Sequence, residues 1–235
     1  DVHVYPYFGA GLSANRNHAL KHCTTELAAI ADDDVRYTGE TLRAAIALAS
    51  THPEVDIFCL QVLKEDGSPI RSYAHHQFDY AHQPKGNYFV SYEIIIRTDA
   101  ALPAFDVRFG LGTSFLGCGE EEVFLYQAHR HGASIKYFPQ VLCSIPTTPT
   151  TGSQFFTNRK VRHAKGAVLY MMHGFLGSLL RITITAFRLP SKVSRLSFWW
   201  DMFLGIRYIW QNPLNEGVAD DIPLDFQPID ITKLP

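Results

Sequence analysis

The sequence predicts an α/β fold, a sheet with helices on its faces, extended by helices at the C-terminal end. Three observations predict it. Short apolar runs of strand length alternate with stretches of helical spacing through the first half of the chain. The last third is helical in pattern and strongly apolar. No Pro/Gly-rich linker and no internal repeat divides the two.

The elements follow in order. Val2 to Tyr7 alternates aromatic and β-branched residues and predicts a short strand. Ser13 is placed to cap a helix running to about His22. Leu27 to Ala31 is wholly apolar and predicts a buried parallel strand, ending in Asp32-Asp33-Asp34. Thr38 caps a helix over Gly39 to Ser50. Val55 to Leu63 is a strand, and the Asp66-Gly67 turn sends Ile70 to Tyr73 back as its hairpin partner. Residues 74–86 are polar and predict a surface loop, and Tyr88 to Ile96 another strand. A glycine-punctuated loop, Phe105 to Gly119, leads into a helix over Glu120 to His131, stopped by Gly132. Ile135 to Phe138 and Val141 to Ile145 are short strands around Pro139, followed by a Pro/Thr loop over 146–153. Helical spacing then runs from Phe156 to Phe187, ends at Pro190, and resumes over Leu196 to Gln211. The tail from Asn212 is polar and proline-punctuated. The expected division is residues 1–155 as an α/β domain and 156–235 as a helical extension and tail.

Composition narrows the function. The 235 residues are 46% hydrophobic and 19% charged, with a net charge of -2, which excludes disorder and gives no basic footprint for nucleic acid. Four cysteines, none in a C-x-x-C pair, predict buried thiols and a reducing compartment rather than a disulfide scaffold. The chain opens at Asp1 without a charged n-region and apolar run, so no signal peptide is expected. No uncharged apolar run reaches the roughly 18 residues of a membrane span.

Two acidic clusters carry the chemistry. Asp32, Asp33 and Asp34 follow an apolar strand directly, and ligands of open α/β sheets gather at the carboxyl ends of strands. Three adjacent carboxylates repel unless a cation compensates them, and hard oxygen ligands suit Mg²⁺ or Mn²⁺. A solvated turn with one aspartate capping the next helix explains the triplet equally well. Glu120, Glu121 and Glu122 open a helix. Acids in a first turn are favoured by the helix dipole, or one of them removes a proton from an acceptor hydroxyl. Consecutive glutamates on a helix face different ways, so at most two of the three share a cleft.

Together these pieces resemble glycosyltransferase family 2. Four stretches carry the resemblance, in order: Gly11-Leu12-Ser13-Ala14-Asn15-Arg16-Asn17-His18-Ala19-Leu20, similar to the family's G-L-S-x-x-R-N-x-A-L helix start; Ile30-Ala31-Asp32-Asp33-Asp34-Val35, similar to its D-x-D strand end; Phe105-Asp106 through Phe109-Gly110-Leu111-Gly112, similar to its F-x-x-x-F-G-x-G loop; and Gly119-Glu120-Glu121-Glu122-Val123-Phe124-Leu125, similar to its G-E-D/E-x-x-F-L helix. The resemblance spans residues 1 to 175. It implies a GT-A-like mixed sheet flanked by helices, Rossmann-like and incomplete at the N-terminus, with a C-terminal helical extension.

It also implies an inverting transfer of a sugar from a nucleotide-diphosphate sugar, a UDP-sugar, to a hydroxyl of a glycan or lipid-linked acceptor in surface polysaccharide synthesis. Asp32 and Asp34 then hold Mn²⁺ or Mg²⁺ and the donor diphosphate, and Asp33 contacts the donor sugar. Glu121 matches the catalytic base, with Glu120 as second candidate. Arg16 and Asn17 match the helix beside the nucleotide, their other reading being to anchor that helix. Two departures stand out. The family's first strand-turn units, which read the base, have no counterpart here. Where many members carry a His-Pro metal ligand, this chain has Ile145-Pro146; His129, His131 and His163 lie near in sequence and read as surface helix residues.

In the C-terminal region, Met171, Met172, Phe175, Leu176, Leu179 and Leu180 are expected to pack as core. The aromatic run from Leu196 to Gln211, with Arg195 and Arg207, is expected to touch a membrane interface, which would place the protein in the cytoplasm, peripheral at the inner face of the cell membrane. The competing reading is a glycosyltransferase-like module that binds a nucleotide or glycan without turnover.

Overall fold

The structure, a computed structural model, describes residues 3–146 and 151–214. It has five α-helices and five strands among the described residues: α1 (Leu12–Lys21), β1 (Leu27–Ala29), α2 (Gly39–Thr51), β2 (Ile57–Lys64), β3 (Phe78–Asp79), β4 (Ile94–Arg97), α3 (Glu120–Arg130), β5 (Ile135–Ile145), α4 (Arg159–Arg188) and α5 (Arg195–Gln211). Packing groups them into two compact units, one within Asp1–His22, Ala104–Glu120 and Gln154–Pro235, the other within Cys23–Pro103 and Glu121–Ser153.

The second unit holds a mixed sheet in the order β1-β4-β2-β5-β3. β2 and β5 run parallel, and every other neighbouring pair is antiparallel. β2 alternates sides: Phe58, Leu60 and Val62 enter a core with Ala45 and Ala49 of α2 and Phe138 and Leu142 of β5. Thr38 caps α2 as its sequence requires, its hydroxyl accepting from Thr41 N at 3.1 Å. Arg97 closes the other end, donating to the carbonyls of Ala49 at 2.6 Å and His52 at 3.1 Å.

Several expectations change. Residues 3–7 form no strand; Tyr5 instead stacks on His22 and Tyr7 packs on His18. Gly11, not Ser13, precedes the first helical residue, and the Ser13 hydroxyl donates to Phe109 O at 2.7 Å. β1 is an antiparallel edge strand, half-buried at Leu27 and Ala28 and exposed at Ala29, rather than a buried parallel one. The hairpin return after Gly67 is a single bridge, Leu63 to Pro69. The polar loop 74–86 contains β3, because Phe78 stacks on Tyr137 at 4.6 Å and draws the chain onto the sheet edge. Residues 91–93 form a 3-10 turn before β4. Pro139 does not divide β5, whose register against β2 shifts after Cys59 and absorbs the irregularity. The Pro/Thr loop lies partly outside the described residues, as does the tail from residue 215.

The same turn region carries a buried charge. The Glu93 carboxylate is fully buried and accepts from the Arg71 guanidinium, from Tyr73 Oη at 2.5 Å and from Val90 N at 2.8 Å. Burial pushes its carboxyl above the usual range against the opposing pull of Arg71. Removing one partner of such a pair strands the other, so Glu93→Ala is expected to lower unfolding stability by about 3–5 kcal/mol in a urea titration.

The first unit joins α1, the loop 104–120 and the α4–α5 hairpin. α4 is kinked at Gly174, whose φ is +66°. Before the kink it meets α5 backbone to backbone: a Cβ at Gly166 would lie 1.8 Å from Met202 O, and one at Gly205 1.8 Å from His163 O. Beside that crossing the buried Asp201 carboxylate accepts from Arg162 Nε at 2.8 Å and from Arg159 Nη2 at 2.8 Å. Burial raises the Asp201 carboxyl, but the two arginines outweigh it and hold it below the usual range. His163, expected at the surface, is buried and stacked on Phe115 at 4.2 Å; desolvation depresses its pKa although Asp201 opposes the shift. Both shifts have the same consequence. The folded state binds fewer protons than the unfolded chain, so stability falls on acidification, first below about 6.5 for His163 and then below about 3.9 for Asp201. Thermal melts across pH should follow that order, and Asp201→Asn should remove the lower phase while costing about 3–5 kcal/mol.

Candidate functional site

The acidic turn is positioned by the sheet. β1 and β2 both run antiparallel to β4, so they share a direction, and β5 runs parallel to β2. After β1, Ile30 N donates to Ile94 O at 3.0 Å, and two residues later the chain reaches Asp32 at the carboxyl end of these strands. Val35 N closes the turn on Asp32 O at 3.4 Å. Arg36 then pairs with Ser144 at the end of β5, through bonds of 2.8 and 2.9 Å. The triplet is thus anchored on both sides. Asp32 is half-buried and accepts from Ser91 Oγ at 3.3 Å, while Asp33 and Asp34 are exposed.

α3 leads into β5 through four residues, 131–134. Its three glutamates face different ways, as helical geometry requires. Glu120 is buried and receives Arg16 Nη1 at 3.2 Å within the first unit. Glu122 acts on Tyr80, whose hydroxyl is raised by burial first and then by Cys59 and Glu122. Glu121 acts on Tyr92. Burial raises the Tyr92 hydroxyl most, followed by the charges of Glu93, Asp32 and Glu121 against the pull of Arg71. Tyr37 is raised by burial, Cys143 and again Asp32. Asp32 and Glu121, 89 positions apart in the sequence, both add to the rise of the Tyr92 hydroxyl in the second unit, after burial and Glu93.

Arg16 and Asn17 lie in the first unit and are held there. Arg16 also sits over the Phe105 ring at 5.6 Å. Asn17 grips the Phe105 backbone twice, donating to its carbonyl and accepting from its N–H, each at 2.8 Å. Gly110, at φ +107°, lets the loop pass Ser13 and Glu120, where a Cβ would come within 3.2–3.3 Å of both side chains. In place of the family's histidine, Ile145 is buried at the end of β5; His129 and His131 are exposed.

Ser91 and Tyr92 were not distinguished in the sequence. They read there as part of one long strand, and the 3-10 turn that aims them at Asp32 leaves no mark on apolar periodicity. None of the four cysteines is in a disulfide; burial pushes the Cys143 thiol up to about 12 and Cys59 well above its usual value, so both are inert.

Among the described residues no three His, Cys, Asp or Glu side chains gather into a metal centre. The donor set nevertheless fits a hard cation. Mg²⁺ is commonly held by one or two carboxylates together with phosphate oxygens of the substrate, and Asp32 and Asp34 are two such carboxylates at the ends of one anchored turn.

A family model described as glycosyl transferase family 2 matches residues 6–109. That stretch covers α1, the acidic turn, and the strands β1 to β4. No curated protein matches the chain. The mixed sheet with flanking helices and a C-terminal helical region is consistent with the GT-A-like α/β fold. Over residues 6–109 the chain is similar to glycosyl transferase family 2.

Proposed function

We propose that this glycosyltransferase is metal-dependent and inverting, and that it moves a hexose from a nucleotide-diphosphate sugar, a UDP-sugar, to a hydroxyl of a glycan or lipid-linked acceptor in polysaccharide synthesis. The observation that supports the reading is the aspartate turn, which leaves β1 at the carboxyl end of the sheet and is held there by Ile30 on Ile94 and by Arg36 on Ser144.

In this reading Asp32 and Asp34 hold Mn²⁺ or Mg²⁺, and Asp33, exposed between them, contacts the donor sugar. The ion, when bound, neutralises charge on the departing diphosphate. Glu121 accepts the proton of the acceptor hydroxyl as its oxygen attacks the anomeric carbon. Glu120, the other candidate base, has its carboxylate on Arg16 and serves with it to fix the loop before α3. For Arg16 and Asn17 the anchoring role is preferred over donor contact, because both side chains are engaged on Glu120 and Phe105.

The test is release of nucleoside diphosphate from a panel of nucleotide sugars, with Mn²⁺ and with chelator. The reading expects release from at least one donor, dependent on the metal. Tight donor binding without any turnover, with or without acceptors, would assign the chain to the non-catalytic module instead.

A further inference from the structure

The α4–α5 hairpin leaves a second apolar face open. One stripe of α4 beyond Gly174, Ile182 and Ala186, is buried against Met202 and Ile206 of α5. A separate stripe, Leu176, Leu180, Ile184 and Phe187, follows i, i+4, i+8, i+11 spacing and is exposed; Leu176 is 79% and Phe187 72% accessible. Of these, Leu176 and Leu180 were expected in the core, and α5 covers only the other side. α5 adds Leu196, Trp200 and Trp210, also exposed. Trp199, Trp200 and Phe203 stack on one another, with Trp199 Nε1 donating to Thr183 Oγ1 at 2.9 Å.

Charge says what covers this face. From Arg159 to Gln211 the chain carries nine Lys and Arg against one acid, Asp201, and that acid is spent on Arg159 and Arg162. The rest of the sequence carries 12 Lys and Arg against 22 acids. Arg181, Arg188, Lys192, Arg195 and Arg207 are all exposed on the same two helices and the turn between them. Exposed leucine and aromatic side chains interleaved with arginine and lysine match a surface that enters the headgroup region of an anionic bilayer.

α4 is long and apolar enough to cross a membrane by length and composition, with 22% of its most apolar stretch buried. Two features argue against crossing. Before Gly174 the helix is buried in its own unit, around Val161, Ala164 and Ala167. After Gly174 only residues 175–188 remain, 14 residues or about 21 Å, short of a hydrocarbon core of about 30 Å, and Arg181 interrupts them.

We propose that the exposed stripe of α4 after its kink, with Trp200 and Leu196 of α5, forms a surface that lies on an anionic lipid membrane. The surface does not depend on the transfer chemistry. Its test is flotation of the whole chain with zwitterionic vesicles and with vesicles enriched in phosphatidylglycerol. The chain should float with the anionic vesicles and be released by high salt. Leu176→Asp with Leu180→Asp should weaken binding at least about ten-fold with unchanged circular dichroism and unchanged donor turnover. Arg181→Glu with Arg188→Glu, which spares the apolar stripe, should weaken it at low salt only. Absence of flotation overturns the proposal, as does equal flotation of both double variants. So does a chain that is dimeric in light scattering, becomes monomeric with Leu176→Asp and Leu180→Asp, and ignores vesicles, since the face then belongs to a second copy.

Discussion

Glu121→Gln is expected to lower kcat by about 10²–10⁴-fold, the contribution of a positioned general base, with little change in KM for the donor. The substitution preserves the size of the side chain and the first turn of α3, so the loss would report the missing proton acceptor and not a collapsed helix. The surrounding residues sharpen the test. Glu120 and Glu122 are one residue away on either side; Glu120 pairs with Arg16, and Glu122 adds to the rise of the Tyr80 hydroxyl. Glu122→Gln should therefore leave kcat within about two-fold. Glu120→Gln should act mainly on stability, because it leaves the buried Arg16 uncompensated. Steady-state kinetics on the three variants, beside their melting curves, separates these outcomes. If Glu121→Gln keeps full turnover and Glu120→Gln loses it, the base is Glu120.

Asp34→Ala is expected to cost on the order of 10³-fold in kcat/KM, since charge stabilisation by a bound cation is worth several kcal/mol. Asp34 is exposed. Its melting temperature should therefore match the parent. Asp32→Ala should be at least as damaging but is less clean, because Asp32 is half-buried and receives Ser91. Raising Mn²⁺ should restore part of the Asp34→Ala activity and none of the Glu121→Gln activity. That contrast distinguishes a weakened ion site from a missing base.

Much of the fold could be read from residue patterns. α2 was legible because its signals are local: Thr38 as cap, and Ala45 and Ala49 four apart. β2 was legible for the same reason, alternating Phe58, Leu60 and Val62. β1 was misjudged, because a run of apolar residues in Leu27–Ala31 looks the same whether it lies in the centre of a sheet or on its edge. β3 was hidden in a polar stretch, since the aromatic stacking that recruits Phe78 is made by Tyr137, 59 residues away.

The site divides in the same manner. The aspartate turn and the glutamate helix were visible as residues, but the anchoring of the turn on Ile94 and Ser144 depends on strand pairings that no local pattern encodes. The Arg16–Glu120 pair spans 104 positions and was equally invisible. In the C-terminal hairpin, spacing alone could not say which apolar stripe of α4 faces α5. Only the pairing of Ile182 and Ala186 with Met202 and Ile206 leaves Leu176 and Leu180 outside.

The central claim is that two distant acidic segments serve one cation-and-diphosphate site with separate duties. Electron paramagnetic resonance of Mn²⁺ titrated with the chain and UDP tests it most directly. The free-ion signal should fall when UDP is added to the parent and to Glu121→Gln, and should persist with Asp34→Ala. A signal that falls equally in all three, or in none, would contradict the assignment of the Asp32–Asp34 turn as the place where metal and nucleotide meet.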